Sequence, residues 1–387
     1  MGPVRTATSA TLSTVVAIMP VFLLGASGVL VREDLGFDEA GLGMSVAVFM
    51  GANAVSSTVG GRLAERFGAG QAMVLASISS AAVMLGLAVL AHSLTHVMLL
   101  LAVAGVGNGV AQPAANMAIA RGVVVRPALV FGVKQSAIPL ATLLAGASVP
   151  LIGLTAGWRW GFALGAAFAA VVAVLVPRRI APAQVRHAKR MREGDSAVAP
   201  LVALAMAAGV GTAAAVSFGS FFVESVVAGG IAASTAGWLL VVGSVAGIVA
   251  RLVAGWMADR YRGRALHSVT AMLVLGAGGY WMLGLGGPVL LTLGTLLAYA
   301  CGWGWTGLLM FETVRLNPNA PAAATGIIQS GAASGATLGP LLFGYIVTTS
   351  SFQAAWFLAA GAALISAALM LASRAWLVFD QKQRTTT

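Results

Sequence analysis

The sequence predicts an all-α membrane protein in which twelve membrane-crossing helices form two pseudo-symmetric six-helix bundles. Three observations lead there. Of 387 residues, 59% are hydrophobic and 9% charged, with a mean hydropathy of +0.94, too little polar surface to cover a water-soluble globule. Windows of about 20 apolar residues, enough to cross about 30 Å of hydrocarbon, recur twelve times. Finally, Gly-Arg-Leu-Ala-Glu-Arg at 61–66 returns as Gly-Trp-Met-Ala-Asp-Arg at 255–260, a shift of 194 residues. The same shift maps Pro127 onto Pro321, Gly132 onto Gly326, Gln135 onto Gln329 and Ser136 onto Ser330. The chain is a doubled unit, a recurring plan among secondary transporters.

Helix 1 is predicted over 9–31; its apolar run is longer than a signal-peptide core and lacks a cleavage site, so it stays in the protein. A loop with Glu33, Asp34, Asp38 and Glu39, expected to be solvated, leads to helix 2 at 39–60. Helices 3 to 6 follow at 71–91, 96–119, 128–152 and 159–177. The one long polar stretch, from Arg178 toward Ala199, carries Arg178, Arg179, Arg186, Lys189, Arg190 and Arg192 and reads as a linker over 178–198 between bundles at 1–177 and 199–387. The second bundle repeats the pattern with helices 7 to 12 at 199–223, 235–257, 266–286, 289–314, 322–348 and 352–374.

The formal net charge of +11 does not imply a nucleic-acid partner, because the basic residues are sorted by loop. With both termini in the cytoplasm, Arg62, Arg66, Arg121, Arg126, the linker, Arg260, Arg262, Arg264, Arg315 and Arg374 all fall on that side. The other side keeps Arg32 and Arg159. This is the positive-inside asymmetry of a multi-pass protein in a cell membrane, and it requires an even number of spans. Nineteen arginines against three lysines, with abundant Ala and Gly, point to a high-GC bacterium.

Cys301 has no partner, and the four histidines have no ligand spacing, so no metal, cofactor or disulfide is expected. No nucleophile triad, phosphate loop or dinucleotide fingerprint occurs. Catalytic residues are therefore not predicted, and a membrane enzyme is disfavoured. The many glycines read as close helix packing.

Polar groups inside the bilayer are the candidates for a substrate site, since each is costly unless paired or wetted. Lys134 lies about 10 Å into helix 5, beside Gln135, and its repeat mate is the apolar Ile328. On helix 4, Asn108, Gln112 and Asn116 recur every four residues and share one face. They either line a cavity or bond helices together. The second half offers Arg251, Gln329, Tyr299 and Trp303 as substrate-binding candidates. Glu312 is a candidate proton site, or else an ion-pair partner of nearby Arg315.

The duplicated 61–66 and 255–260 motifs resemble the loop signature of the major facilitator superfamily, and the resemblance covers essentially the whole chain. The first copy has Gly61, Glu65, Arg66 and Gly68; the second has Gly255, Asp259 and Arg260, with Arg262 at the glycine position and Gly263 one place late. The resemblance implies that fold and a gate. Each carboxylate would accept from exposed N–H groups at the start of a helix in the other half, where the helix dipole favours negative charge. Glu65 would meet helix 11 near Ala322, and Asp259 would meet helix 5 near Ala128. Arg66 and Arg260 would steady the carboxylates, and Gly61 and Gly255 would let helices approach.

The expected function is secondary active transport of a small solute by a monomeric chain through alternating access. Lys134 and Arg251, with few membrane carboxylates, favour an organic anion, with a proton as candidate coupling ion. The alternative is a proton-driven exporter of hydrophobic drugs. The Gly-Pro pattern expected of such exporters is not met by Gly146 to Pro150, nor by the lone Gly339-Pro340.

Overall fold

The computed structural model describes residues 3–122, 127–178, 198–260, 265–317 and 321–386, and side chains through 376. The predicted linker at 178–198 lies almost wholly outside the described residues, as do Arg262 and Gly263. Among the described residues there is no strand, and twelve helices are long and apolar enough to cross a membrane. They are α1 (Pro3–Ala26), α2 (Glu39–Phe67), α3 (Ala69–Leu90), α4 (Leu94–Gly122), α5 (Pro127–Gln135 and Ala137–Ser148), α6 (Trp158–Leu175), α7 (Val198–Ala228), α8 (Ala233–Arg260), α9 (Ala265–Leu285), α10 (Pro288–Leu297 and Thr306–Leu316), α11 (Pro321–Thr349) and α12 (Phe352–Thr386).

Helix 1 is divided where the sequence reading runs it through: it ends at Ala26 rather than at 31, and a separate short helix, Gly28–Leu35, follows a break at Ser27. Hydropathy cannot see this break, because the apolar run continues to Val31 across it. The short helix stops at Gly36, whose φ of 70° is a left-handed cap. Asp38 then caps α2, accepting from Gly41 N at 2.9 Å. Between α2 and α3 the chain reverses on Gly68 alone, at φ 91°. This explains the last glycine of the first signature copy, since an L side chain is strained there.

Within the first bundle α2 packs on α4, α3 on α6, and α1 on α4 and α5; in the second α7 packs on α11, α9 on α12, and α8 on α10. Small residues set these approaches. A Cβ at Gly105 of α4 would strike the Phe49 carbonyl of α2. The 194-residue shift maps that pair onto Tyr299 and Gly243, and there the bulk is exchanged, the Tyr299 ring of α10 lying on Gly243 of α8.

Two helices are broken beside candidate site residues. Pro139 has no N–H for the carbonyl of Gln135, and α5 breaks at Ser136 beside Lys134 and Gln135. In α10 a π-helical turn over Ala298–Gly302 leads into a non-helical turn at 303–305, which frees the Trp303 carbonyl from the helix.

The bundles meet along α2 with α11, α5 with α8, and α1 with α7. We call the face where α1 begins and α12 ends the terminal face, and the opposite one the distal face. The α5–α8 seam is closed throughout: a Cβ on Gly146 would lie 2.9 Å from the Gly237 carbonyl, Thr142 and Ser244 share a 2.8 Å hydrogen bond, and a Cβ on Gly132 would lie 2.7 Å from the Arg251 carbonyl. The repeat-related α2–α11 seam closes only distally, where Gly43 abuts Pro340, the repeat mates of Gly237 and Gly146. Toward the terminal face it parts. Gly326, mate of Gly132, would have nothing within 4 Å of an added Cβ.

Candidate functional site

On the N-terminal side of the seam, five polar residues form one hydrogen-bonded chain. Lys134 Nζ donates to Gln112 Oε1 at 2.5 Å and to Gln135 Oε1 at 3.4 Å. Gln112 Nε2 donates to Asn108 Oδ1 at 3.4 Å, and Asn108 Nδ2 to Asn53 Oδ1 at 3.0 Å. Thus the helix 4 amides bond to neighbouring helices and also present the lysine. Asn116 stands apart, half-buried and without a bond to any described residue. Asn53 was missed by the sequence reading; the available signal was an isolated amide in the middle of an apolar helix.

Lys134 is 5% exposed, and no carboxylate among the described residues pairs with it. In particular it does not pair with Glu312. That residue, the candidate proton site, is buried and held by a two-pronged contact from Arg315, Nε to Oε2 at 2.8 Å and Nη2 to Oε1 at 2.5 Å. Of the two readings the sequence offers for Glu312, this contact is the ion pair: three residues apart on one helix, the two side chains satisfy each other.

Across the seam Arg251 is 2% exposed. Its Nη1 donates to the Gly247 carbonyl at 3.0 Å and its Nη2 to the freed Trp303 carbonyl at 2.8 Å, while Nε has no partner. It borders a small cleft with Gly132, Ala254, Gly255, Gly304, Gly307 and Leu308. Tyr299 and Trp303, expected at a cavity wall, are instead core: Tyr299 lies 4.7 Å from the Phe218 ring centre, and Trp303 lies 5.5 Å from that of Phe22 across the bundles. Glycines 243 and 219 opposite them leave room for rings but no cavity. Gln329 is exposed on α11, away from the hydrogen-bonded chain.

The two signature copies behave differently. Asp259 Oδ2 accepts from Leu129 N in the first turn of α5 at 3.0 Å, one residue from the position expected. Glu65 is exposed and bonds no described residue, and the side chains of 321–323, near its expected partner, lie outside the described ones. Neither arginine steadies its carboxylate as expected. Arg66 lies over the Phe67 ring at 5.5 Å and Arg260 over Trp256 at 5.8 Å, because these neighbouring rings offer cation–π contacts at the helix ends. Gly61 is likewise not a point of close approach here, an added Cβ meeting only Pro113 at 3.9 Å; Gly60 fills that role against Gly109. Gly255 does lie close, beside Gly132.

The distal face holds an arrangement the sequence reading missed. Glu224 at the end of α7 is 2% exposed, with Arg32 Nη1 3.2 Å from its Oε2. Arg32 also pairs with Glu39 at 2.8 Å and donates from Nε to the Phe37 carbonyl at 3.1 Å. Asp34, expected to be solvated, binds Arg159 at 2.5 Å and Trp158 Nε1 at 3.1 Å, and the Arg159 hydrogen bond holds its carboxyl below the usual range.

A doubled twelve-helix membrane scaffold with broken helices is the plan of a secondary transporter. The sequence matches the family model of the Major Facilitator Superfamily over residues 10–314 and again over 194–385, and the chain belongs to that family. It is a secondary transporter. Among solved structures, the nucleoside transporter NupG (D323A mutant) superposes with a TM-score of 0.73 at 16% identity, covering 96% of this chain and 99% of that one. That similarity concerns the fold. No curated protein matches the sequence.

Proposed function

We propose that the protein is a monomeric secondary active transporter of a small organic anion, seated in a bacterial cell membrane with both termini in the cytoplasm. The observation that carries this reading is Lys134, a buried cation on a broken helix whose partners among the described residues are neutral amides. A buried charge without a counter-charge is costly. Arg251, on the facing half, also lacks a carboxylate partner, since Glu312 is held by Arg315 and Glu224 lies against Arg32. An anion entering between the halves supplies what both cations lack. With the terminal face in the cytoplasm, the parted α2–α11 seam makes this the inward-facing state. The candidate substrate residues are Lys134, Gln112, Gln135 and Arg251.

A thermal-shift screen of purified protein tests the reading, using small carboxylates, nucleosides and hydrophobic cations as the three ligand classes. Carboxylates are expected to stabilise the protein. Lys134→Ala should lower their affinity about 10- to 100-fold, the worth of a hydrogen bond to a charged group, while Glu312→Gln leaves it nearly intact. Stabilisation by hydrophobic cations alone would establish the drug-exporter alternative.

A further inference from the structure

Glu224 is a buried carboxylate that the anion site does not use. Both of its oxygens are enclosed, and neither has a hydrogen-bond partner. Its one counter-charge, Arg32, lies within 3.2 Å without hydrogen-bond alignment and is shared with Glu39. Gly28 makes the room: an added Cβ there would lie 2.6 Å from Glu224 Oε1. The ion pair joins the bundles, Arg32 belonging to the short helix after α1 and Glu224 to α7. The repeat shift maps Glu224 onto Leu30, so the scaffold does not require a carboxylate there.

We propose that Glu224 is a proton-binding site, and that a proton and the Arg32 guanidinium are alternative partners for its carboxylate. Opening the distal face must draw Arg32 away from α7. The carboxylate left behind needs another positive partner, and a proton from the distal side is the one that fits a pocket walled by Gly28. Proton binding and distal opening then favour each other by linkage. Apart from Glu39, which shares Arg32, no other ionisable group among the described residues faces the pair. Glu33 is exposed, Asp34 is turned to Arg159, Asp38 caps α2, and the adjoining ends of α1, α8, α11 and α12 bring no charged residue among those described. The inference rests on the transport reading above and adds the coupling ion to it.

The test is a distance measurement that needs no substrate. With Cys301→Ser as background, spin labels at Thr155→Cys and Ser350→Cys mark exposed distal positions on the two halves. In otherwise native protein, a longer-distance population should grow several-fold as the pH is lowered from about 8 to about 5, toward the range in which carboxylates take up protons. Glu224→Gln should show it at both pH values. Glu39→Gln, which leaves Arg32 wholly to Glu224, should move the transition to more acidic pH. A wild-type pH response in Glu224→Gln overturns the proposal, as does no response in the native protein. If Glu224→Gln does not fold, Glu39→Gln decides, and an unmoved midpoint overturns it. Anion binding is read separately, so a pH response without carboxylate binding sinks only the anion reading, and the converse only this one.

Discussion

At the scale of single residues, the partner rather than burial separates the candidate site charges from the paired ones. Glu312 with Arg315, and Asp34 with Arg159, are matched pairs near the ends of helices. Lys134 and Arg251 are buried against neutral oxygens. The Asp34 pair carries a pH prediction. Its carboxyl is held below the ordinary value of 3.8, mainly by the Arg159 hydrogen bond. A depressed group contributes stability above its unfolded value and loses it as pH falls through the folded one. Asp34→Asn should therefore lower the melting temperature slightly at neutral pH, and the difference from wild type should begin to shrink as pH falls through about 3.8 and vanish only below the lower folded value. The effect is small because the pair is partly exposed and screened. A difference that does not shrink as pH is lowered well below about 3.8 shows that the contribution is not the ion pair.

At the scale of elements, the repeat places an open and a closed version of one contact in the same molecule. Gly132 is pinned against α8, while its mate Gly326 has free space. Gly326→Ala should raise stability by about 0.5–1 kcal/mol, the helical advantage of alanine, yet slow transport, because closing the α2–α11 seam brings Gly61 against it. Gly132→Ala should destabilise. The signature carboxylates should differ in the same way. Asp259→Asn weakens a made contact with a helix start, at about 0.5–2 kcal/mol, whereas Glu65→Gln should leave melting unchanged and act only on transport. Equal losses in the two variants would contradict the asymmetry, and melting curves in detergent suffice to see it.

At the scale of the whole molecule, the proposed alternating access makes the closed distal seam and the parted terminal seam one end of the transport cycle. Paired cysteines test this in the Cys301→Ser background. Gly43→Cys with Pro340→Cys should cross-link readily, and Gly61→Cys with Gly326→Cys should not. Ligands or mutations that open the distal face, Glu224→Gln among them, should exchange the two yields. Equal cross-linking of both pairs in resting protein would contradict the state described. A further consequence is that the α5–α8 seam must loosen at its distal contact, Gly146–Gly237, on distal opening, while Asp259–Leu129 at the terminal end stays made.

By itself the sequence determined what hydropathy and repetition can express: the membrane as solvent, twelve helices, the doubling and the family. Apolar length and the 194-residue shift are properties of a linear chain, and so is the isolation of Lys134 in an apolar segment. It also located Asp259 to within one residue of its partner, because the gate geometry is carried by a motif. Only the tertiary structure decided which polar groups find each other. Asn53 and Asn108 are 55 residues apart, and Glu224 meets Arg32 from the other bundle. Tyr299 and Trp303 became core because glycines face them on other helices, and Glu65 stands exposed while its repeat mate is bonded. The break at Ser27 hid within a continuous apolar run. Such pairings depend on helix rotation and on the state of the seam between bundles. Both are set by packing between distant segments and leave no periodic trace in either one.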